Sequence, residues 1–209
     1  MFEAVDIIKK LFASGLSQKD VRHEGKYYRL ESTRLWTMPE VAPEILVAAS
    51  GPVTARRAGR TVDGLITEGA SLERVATLFE RFDDGAREVG RDPRGTAKVV
   101  RLQLSWAVTP EEAMTNVLTE WPVLGLRFPK ADVRSPYELE QLARLVRPEH
   151  LEGQVLVSAD ADEHRAHIQS YLNAGATRVY LHNVGRNQSE FLEAFGRDVL
   201  PALVPGGGR

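Results

Sequence analysis

Residues 155–183, VLVSADADEHRAHIQSYLNAGATRVYLHN, compress a strand, a helix and a second strand into one short run. Asp160 is placed to cap the helix with Glu163, and Gly175 to end it. Two apolar strands joined through a helix pair most readily in parallel, with the helix covering one sheet face. The same order recurs upstream. EILVAAS reads as a fully buried strand, GPVTARRAGRTV as a short helix and DGLITEG as a further strand. Ser71 is placed to cap a helix with the buried stripe Leu72, Val75, Leu78, Phe79 and Phe82, and AKVVRLQLSWAV reads as the next strand. Strand–helix alternation predicts an α/β fold, either an open doubly wound sheet or a (β/α) barrel. In both, the loops leaving the strand ends carry the chemistry.

The remaining segments are read by caps and turns. Phe2, Val5, Ile8, Leu11 and Phe12 predict an opening helix that stops at Gly15, followed by a hairpin turning at Gly25. Thr109-Pro110 with Glu112, and Ser135-Pro136 with Glu138, are two helix starts of one design. Between them WPVLGLRFPKADVR reads as an irregular loop, and SEFLEAFGRDVLPALV as a final amphipathic helix. Net charge is −2, which points away from nucleic acid and from anionic membrane surfaces. With no cysteine, thiolate chemistry and disulfides are excluded. No apolar run approaches a membrane span, and the expected compartment is the cytoplasm.

Several residues carry candidate chemistry. In ASGP a buried strand hands over to a helix whose N-terminal N–H groups suit a phosphate; an ordinary Gly-Pro turn is the competing reading. Glu68, at the end of ITEG, is either a proton acceptor or a solvated strand end. His164 and His167 have metal-like spacing but no third ligand nearby, so a solvated helix face is expected and no metal site. His182 closes the last strand, as a ligand contact or a hydrogen-bonded structural histidine. Arg56, Arg57 and Arg60 read as a solvated basic face, and Trp106 and Trp121 either line a pocket or, as is commoner for aromatics so placed, fill core.

HEGKYYRL, ILVAASGPVTARRAGRTVDGLIT and VLVSADADEHRAHIQSYLNAGATRVYLH, taken in order, resemble the luciferase-like monooxygenase superfamily, in particular its branch that uses the deazaflavin coenzyme F420. The resemblance covers nearly the whole chain but only the back part of such a protein. It implies a partial TIM-type (β/α)8 barrel, roughly units five to eight with a small hairpin insertion, over residues 1–204 as one domain, with 205–209 a disordered tail. It implies hydride transfer between coenzyme F420 and a small organic substrate, with the principal acid and base outside this chain. By the same resemblance Ala49, Ser50, Gly51 and Thr67 touch the coenzyme, and Glu68, Lys130 and His182 line the substrate side. A phosphate-gripping lysine and arginine of the sugar-phosphate enzymes are replaced here by Ser71 and Gly153, which favours an alcohol or aldehyde. The alternatives are an FMN-dependent member of the superfamily and a non-catalytic half-barrel module. A homodimer, or pairing with a missing N-terminal half, is the expected assembly.

Overall fold

The computed structural model describes residues 1–69, 71–128 and 132–204; the expected tail at 205–209 lies outside them. Two compact units result. The first comprises Met1–Ile66 with Thr77–Ala97, and the second Thr67–Ala76 with the chain from Lys98 on. Each is an arrangement of helices on parallel strands, as the strand–helix alternation predicts.

In the first unit α1 (Phe2–Ser17) runs past Gly15, which is buried inside the helix. A Cβ on Gly15 would strike the Met38 side chain, so this glycine is there for close packing. The helix ends instead at Gln18, whose left-handed φ of 56° makes the C-cap. β1 (Val21–Glu24) and β2 (Arg29–Thr33) form the expected antiparallel hairpin. Glu3 ties α1 to its turn: its carboxylate accepts the Tyr27 N–H at 3.1 Å and the Tyr28 N–H at 2.8 Å. Burial pushes the Glu3 pKa up, and these N–H groups with His23 outweigh it, so the net shift is downward.

β3 (Leu46–Ala48) pairs in parallel with β4 (Gly64–Glu68), Val47 lying opposite Leu65. Only Val47 and Ala49 of the EILVAAS run are buried; Ala48 and Ser50 are exposed. The run therefore has one covered face and one open face rather than full burial, because side chains alternate along a strand. α2 (Pro52–Thr61) and α3 (Leu72–Glu88) meet through glycine. A Cβ on Gly59 would collide with the Phe82 carbonyl oxygen, and one on Gly85 with the Arg56 carbonyl oxygen. The buried stripe of α3 starts at Val75, since Leu72 is 41% exposed.

The second unit is built on β5 (Ala97–Trp106). β7 (Arg178–Asn183) runs parallel to it through six rungs, from Val99 opposite Arg178 to Leu104 opposite Asn183. β6 (Leu156–Ser158) joins only the last three residues of β5. The helices are α4 (Pro110–Glu120), α5 (Pro136–Ala143), α6 (Pro148–Leu151), α7 (Ala161–Asn173) and α8 (Gln188–Ala194). The proposed caps form: Thr109 Oγ1 accepts the Glu112 N–H at 3.2 Å, and Ser135 Oγ the Glu138 N–H at 3.1 Å. Asp160 accepts from the Asp162 N–H at 2.7 Å, a tighter turn than the expected pairing with Glu163. The last helix is also shorter than expected. It gives way to a π-helical turn at Phe195–Val199 and a 3-10 turn at Leu200–Ala202, because Pro201 has no N–H to continue it. Among the described residues no helix is long and apolar enough to cross a membrane.

Candidate cofactor and substrate site

The turn after β3 leads straight into the N-terminus of α2. Gly51 N-caps α2 with φ −131° and ψ 149°, extended backbone that any residue adopts. Its value is space: a Cβ built there meets no atom within 4 Å. The cap residue makes no side-chain hydrogen bond to the helix, and the Ala55 N–H donates to the Gly51 carbonyl at 3.0 Å. The Val53 and Thr54 N–H groups therefore have no intrahelical acceptor, at the positive end of the helix dipole. Ala49 contributes differently from Gly51. It is buried, and its N–H is engaged by the Ile66 carbonyl at 3.0 Å. The two first-turn amides are donors that a search for side chains overlooks; the Gly-Pro start is their sequence signal.

Arg56, Arg57 and Arg60 are all exposed, the solvated face expected of them. Arg56 and Arg60 both hold Glu88, each Nε at 2.6 Å from a carboxylate oxygen. The Arg56 hydrogen bond, then that of Arg60, draws the Glu88 pKa below its ordinary value. The Arg57 guanidinium lies over the Phe2 ring at 4.3 Å.

In the second unit Thr67 is buried and Glu68 exposed, and the Glu68 carboxylate pairs with the Arg101 guanidinium. Gly69 allows this close approach. Its N–H donates to the Arg101 carbonyl at 2.7 Å, and a Cβ there would strike Leu102. His182 is half-buried on β7, directly opposite Gln103 of β5. The Trp121 ring meets its imidazole edge-on, centroids 4.9 Å apart and planes at 89°. Trp121 also packs against the cluster of Val117, Val146, Leu151 and Val184. Lys130 lies outside the described residues.

Two features go beyond, or against, the sequence reading. An asparagine ring locks the strand ends: the Trp106 N–H donates to Asn183 Oδ1 at 2.9 Å, Asn183 Nδ2 to Asn187 Oδ1 at 3.1 Å, and Asn187 Nδ2 back to the Trp106 carbonyl at 3.0 Å. His164 is not on a solvated face. It is wholly buried, its ring tilted at 58° against Phe195 with centroids 5.2 Å apart, and its Nε2 lies 2.9 Å from the Ser158 carbonyl. Nε2 must then carry the proton, leaving Nδ1 a buried lone pair without a partner among the described residues. Burial lowers the His164 pKa and outweighs the carbonyl that supports the charged form. The signal for this was helical spacing, since His164, Ile168 and Tyr171 form the buried stripe of α7. Among the described residues no three His, Asp or Glu side chains are placed to hold a metal ion. Trp106 is core, 6.2 Å from Phe195 and 6.5 Å from Phe191.

Comparison with known proteins places these features in context. Residues 1–178 match the luciferase-like monooxygenase family. The chain is 34% identical over 205 residues to an F420-dependent glucose-6-phosphate dehydrogenase of Kineococcus radiotolerans, covering 97% of this chain and 60% of that protein. It superposes on an F420-dependent secondary alcohol dehydrogenase, solved with an F420-acetone adduct, with a TM-score of 0.78 and 26% identity, over 97% of this chain and 59% of that one. A coenzyme F420 dependent tetrahydromethanopterin reductase from Methanopyrus kandleri, at a TM-score of 0.74 and 18% identity, shares the fold. The chain thus spans about three fifths of the length of the relatives it matches, in accord with a partial barrel.

Proposed function

Because the chain belongs to the luciferase-like monooxygenase family, we propose that it is the C-terminal part of a coenzyme F420-dependent oxidoreductase acting on a small neutral alcohol or carbonyl compound. The observation that carries this reading is the match of 97% of the chain to a relative named for F420 dependence. The residues present fit an anionic coenzyme tail. In the first unit, the open volume at Gly51 and the first-turn amides of Val53 and Thr54 would receive a phosphate, beside Ser50 and the small Ala49. In the second, Thr67, Glu68 and His182 are candidates for coenzyme or substrate contact, with Lys130 a further one. The deazaflavin, when bound, supplies hydride transfer. This chain's residues bind and orient, and the principal acid and base lie elsewhere. The engagement of Arg101 by Glu68 favours a neutral substrate over a sugar phosphate. A second copy of the chain, or a complementing N-terminal half, completes the assembly.

Fluorescence titration of the purified chain with coenzyme F420 and with FMN tests the reading. Gly51→Asp should leave folding intact, since aspartate is a good N-cap and its Cβ meets no atom within 4 Å. It should weaken F420 binding about tenfold by placing a carboxylate against the phosphate. Tighter binding of FMN than of F420, or an unchanged Gly51→Asp affinity, would overturn it.

A further inference from the structure

α2 has little apolar packing of its own. Of its ten residues only Ala55, Ala58 and Gly59 are buried, and Val53 is 82% exposed. Gly59 lets the backbones of α2 and α3 approach, but no large side chain of α2 keys into α3 to fix its position along that face. Polar groups supply the hold, at two levels. At the C-terminal end Arg91, just past α3, donates to the Gly59 carbonyl at 3.1 Å and to the Val62 carbonyl at 2.7 Å. In the middle the Glu88 carboxylate gives one oxygen to Arg56 Nε and the other to Arg60 Nε, both at 2.6 Å. Arg56 and Arg60 are one turn apart, so one carboxylate spans that turn. A helix held only at its C-terminal end can pivot. Held at a second level as well, it has a fixed axis. That second level lies about 7.5 Å along the helix from Gly51. Glu88, Arg91, α2 and the Gly51 turn all belong to the first unit.

We propose that Glu88 is a positioning residue for the coenzyme site: through Arg56 and Arg60 it aims the first-turn amides of α2 at the coenzyme phosphate. Glu88 touches no coenzyme itself. It acts against its own charge, because a carboxylate near an anion site repels the anion. The proposal rests on the phosphate seat at Gly51 in the reading above and adds to it the group that keeps the seat in place.

The test is fluorescence titration of the parent chain, Glu88→Gln and Glu88→Asp with coenzyme F420 and with the tail-free deazaflavin, which has the same ring and no phosphate. Glutamine keeps the size and loses the charge; aspartate keeps the charge and loses the reach. A brace needs both. Each variant should therefore bind F420 about tenfold more weakly, the scale of one lost charge-assisted hydrogen bond, and bind the tail-free deazaflavin as the parent does. A Glu88 that acted by charge alone would give the reverse, with Glu88→Gln tighter than the parent and Glu88→Asp equal to it. A general structural role would weaken both ligands alike. Either result would overturn the proposal. The parent separates the two claims. A parent that does not favour F420 over the tail-free deazaflavin defeats the phosphate seat, and the brace with it. A parent that favours F420, with variants that favour it equally, defeats the brace alone.

Discussion

Gly85→Ala sets two opposed effects against each other in the contact between α2 and α3. In an isolated helix the change is favourable by about 1 kcal/mol, because alanine is the better helix former. Here the added Cβ would overlap the Arg56 carbonyl oxygen, with the Arg56 carbonyl carbon at 2.8 Å and Cα at 3.2 Å. These are backbone atoms, so no rotamer change relieves them. The helices must separate, loosening the packing of Ala55, Ala58 and Phe82, all buried to 0% exposure. Overpacking costs about 1–3 kcal/mol, and a backbone clash belongs at the upper end. The net expectation is a loss of about 2 kcal/mol, or about 4–8 °C in Tm for a chain of this size. Gly59→Ala meets the Phe82 carbonyl oxygen across the same interface. Once the helices have parted, the second methyl adds little, so the double variant should lose about 3 kcal/mol rather than 4. Urea unfolding followed by circular dichroism gives these values directly. Gly196→Ala is the control: it is exposed, lies in a helical turn and its Cβ would meet no atom within 4 Å, so only the favourable helix term acts and its Tm should rise by up to about 4 °C. A Gly85→Ala Tm equal to or above the parent's would show that the glycines are not required by close approach.

Three further outcomes follow. The folded-state pKa of His164 lies below its ordinary 6.5, so the unfolded chain binds the extra proton first as pH falls. Stability should be level above about pH 6.5 and decline below it, and His164→Gln, which retains a donor for the Ser158 carbonyl, should flatten part of that slope in thermal melts; a parent Tm independent of acid would refute the buried neutral histidine. Asn187→Leu removes two hydrogen bonds from the asparagine ring and strands the Trp106 carbonyl, for a loss of about 2 kcal/mol by urea unfolding; a loss below about 0.5 kcal/mol would show that the ring does not anchor the strand ends. Tyr27, Trp36 and Val41 are 72%, 76% and 80% exposed in the first unit, so sedimentation should find a species of at least twice the chain mass, and a single monomeric species would contradict the expected self-association.

Local chemistry was legible wherever it closes within a few residues. The caps at Thr109 and Ser135 and the hairpin at Gly25 need only neighbours in sequence, and each forms as expected. Gly15 shows where that logic ends. A glycine after an apolar periodic run has the form of a helix stop, but Met38 packs on it from 23 residues away and the helix continues to Ser17. His164 fails for a different reason. Its spacing from His167 draws attention to metal binding, while its spacing from Ile168 and Tyr171, which decides the matter, is the same helical period that marks any buried stripe.

The β5 strand carries this furthest. In VVRLQLSW the alternation of apolar residues with Arg101 and Gln103 already assigns those two to one face. Their partners are another matter. Whether Gln103 stands beside Tyr180, His182 or neither depends on the register of β7, which is set by pairings nearly eighty residues apart in sequence, such as the Lys98 N–H to Thr177 Oγ1 bond at 2.9 Å. A slip of one residue would place Gln103 beside Leu181 or Asn183 and turn every β7 side chain to the opposite face. The Gln103–His182 rung thus exists only in the folded register. Residue types alone suggest His182 as a ligand contact, but its neighbours across the strand are legible only once that register is set.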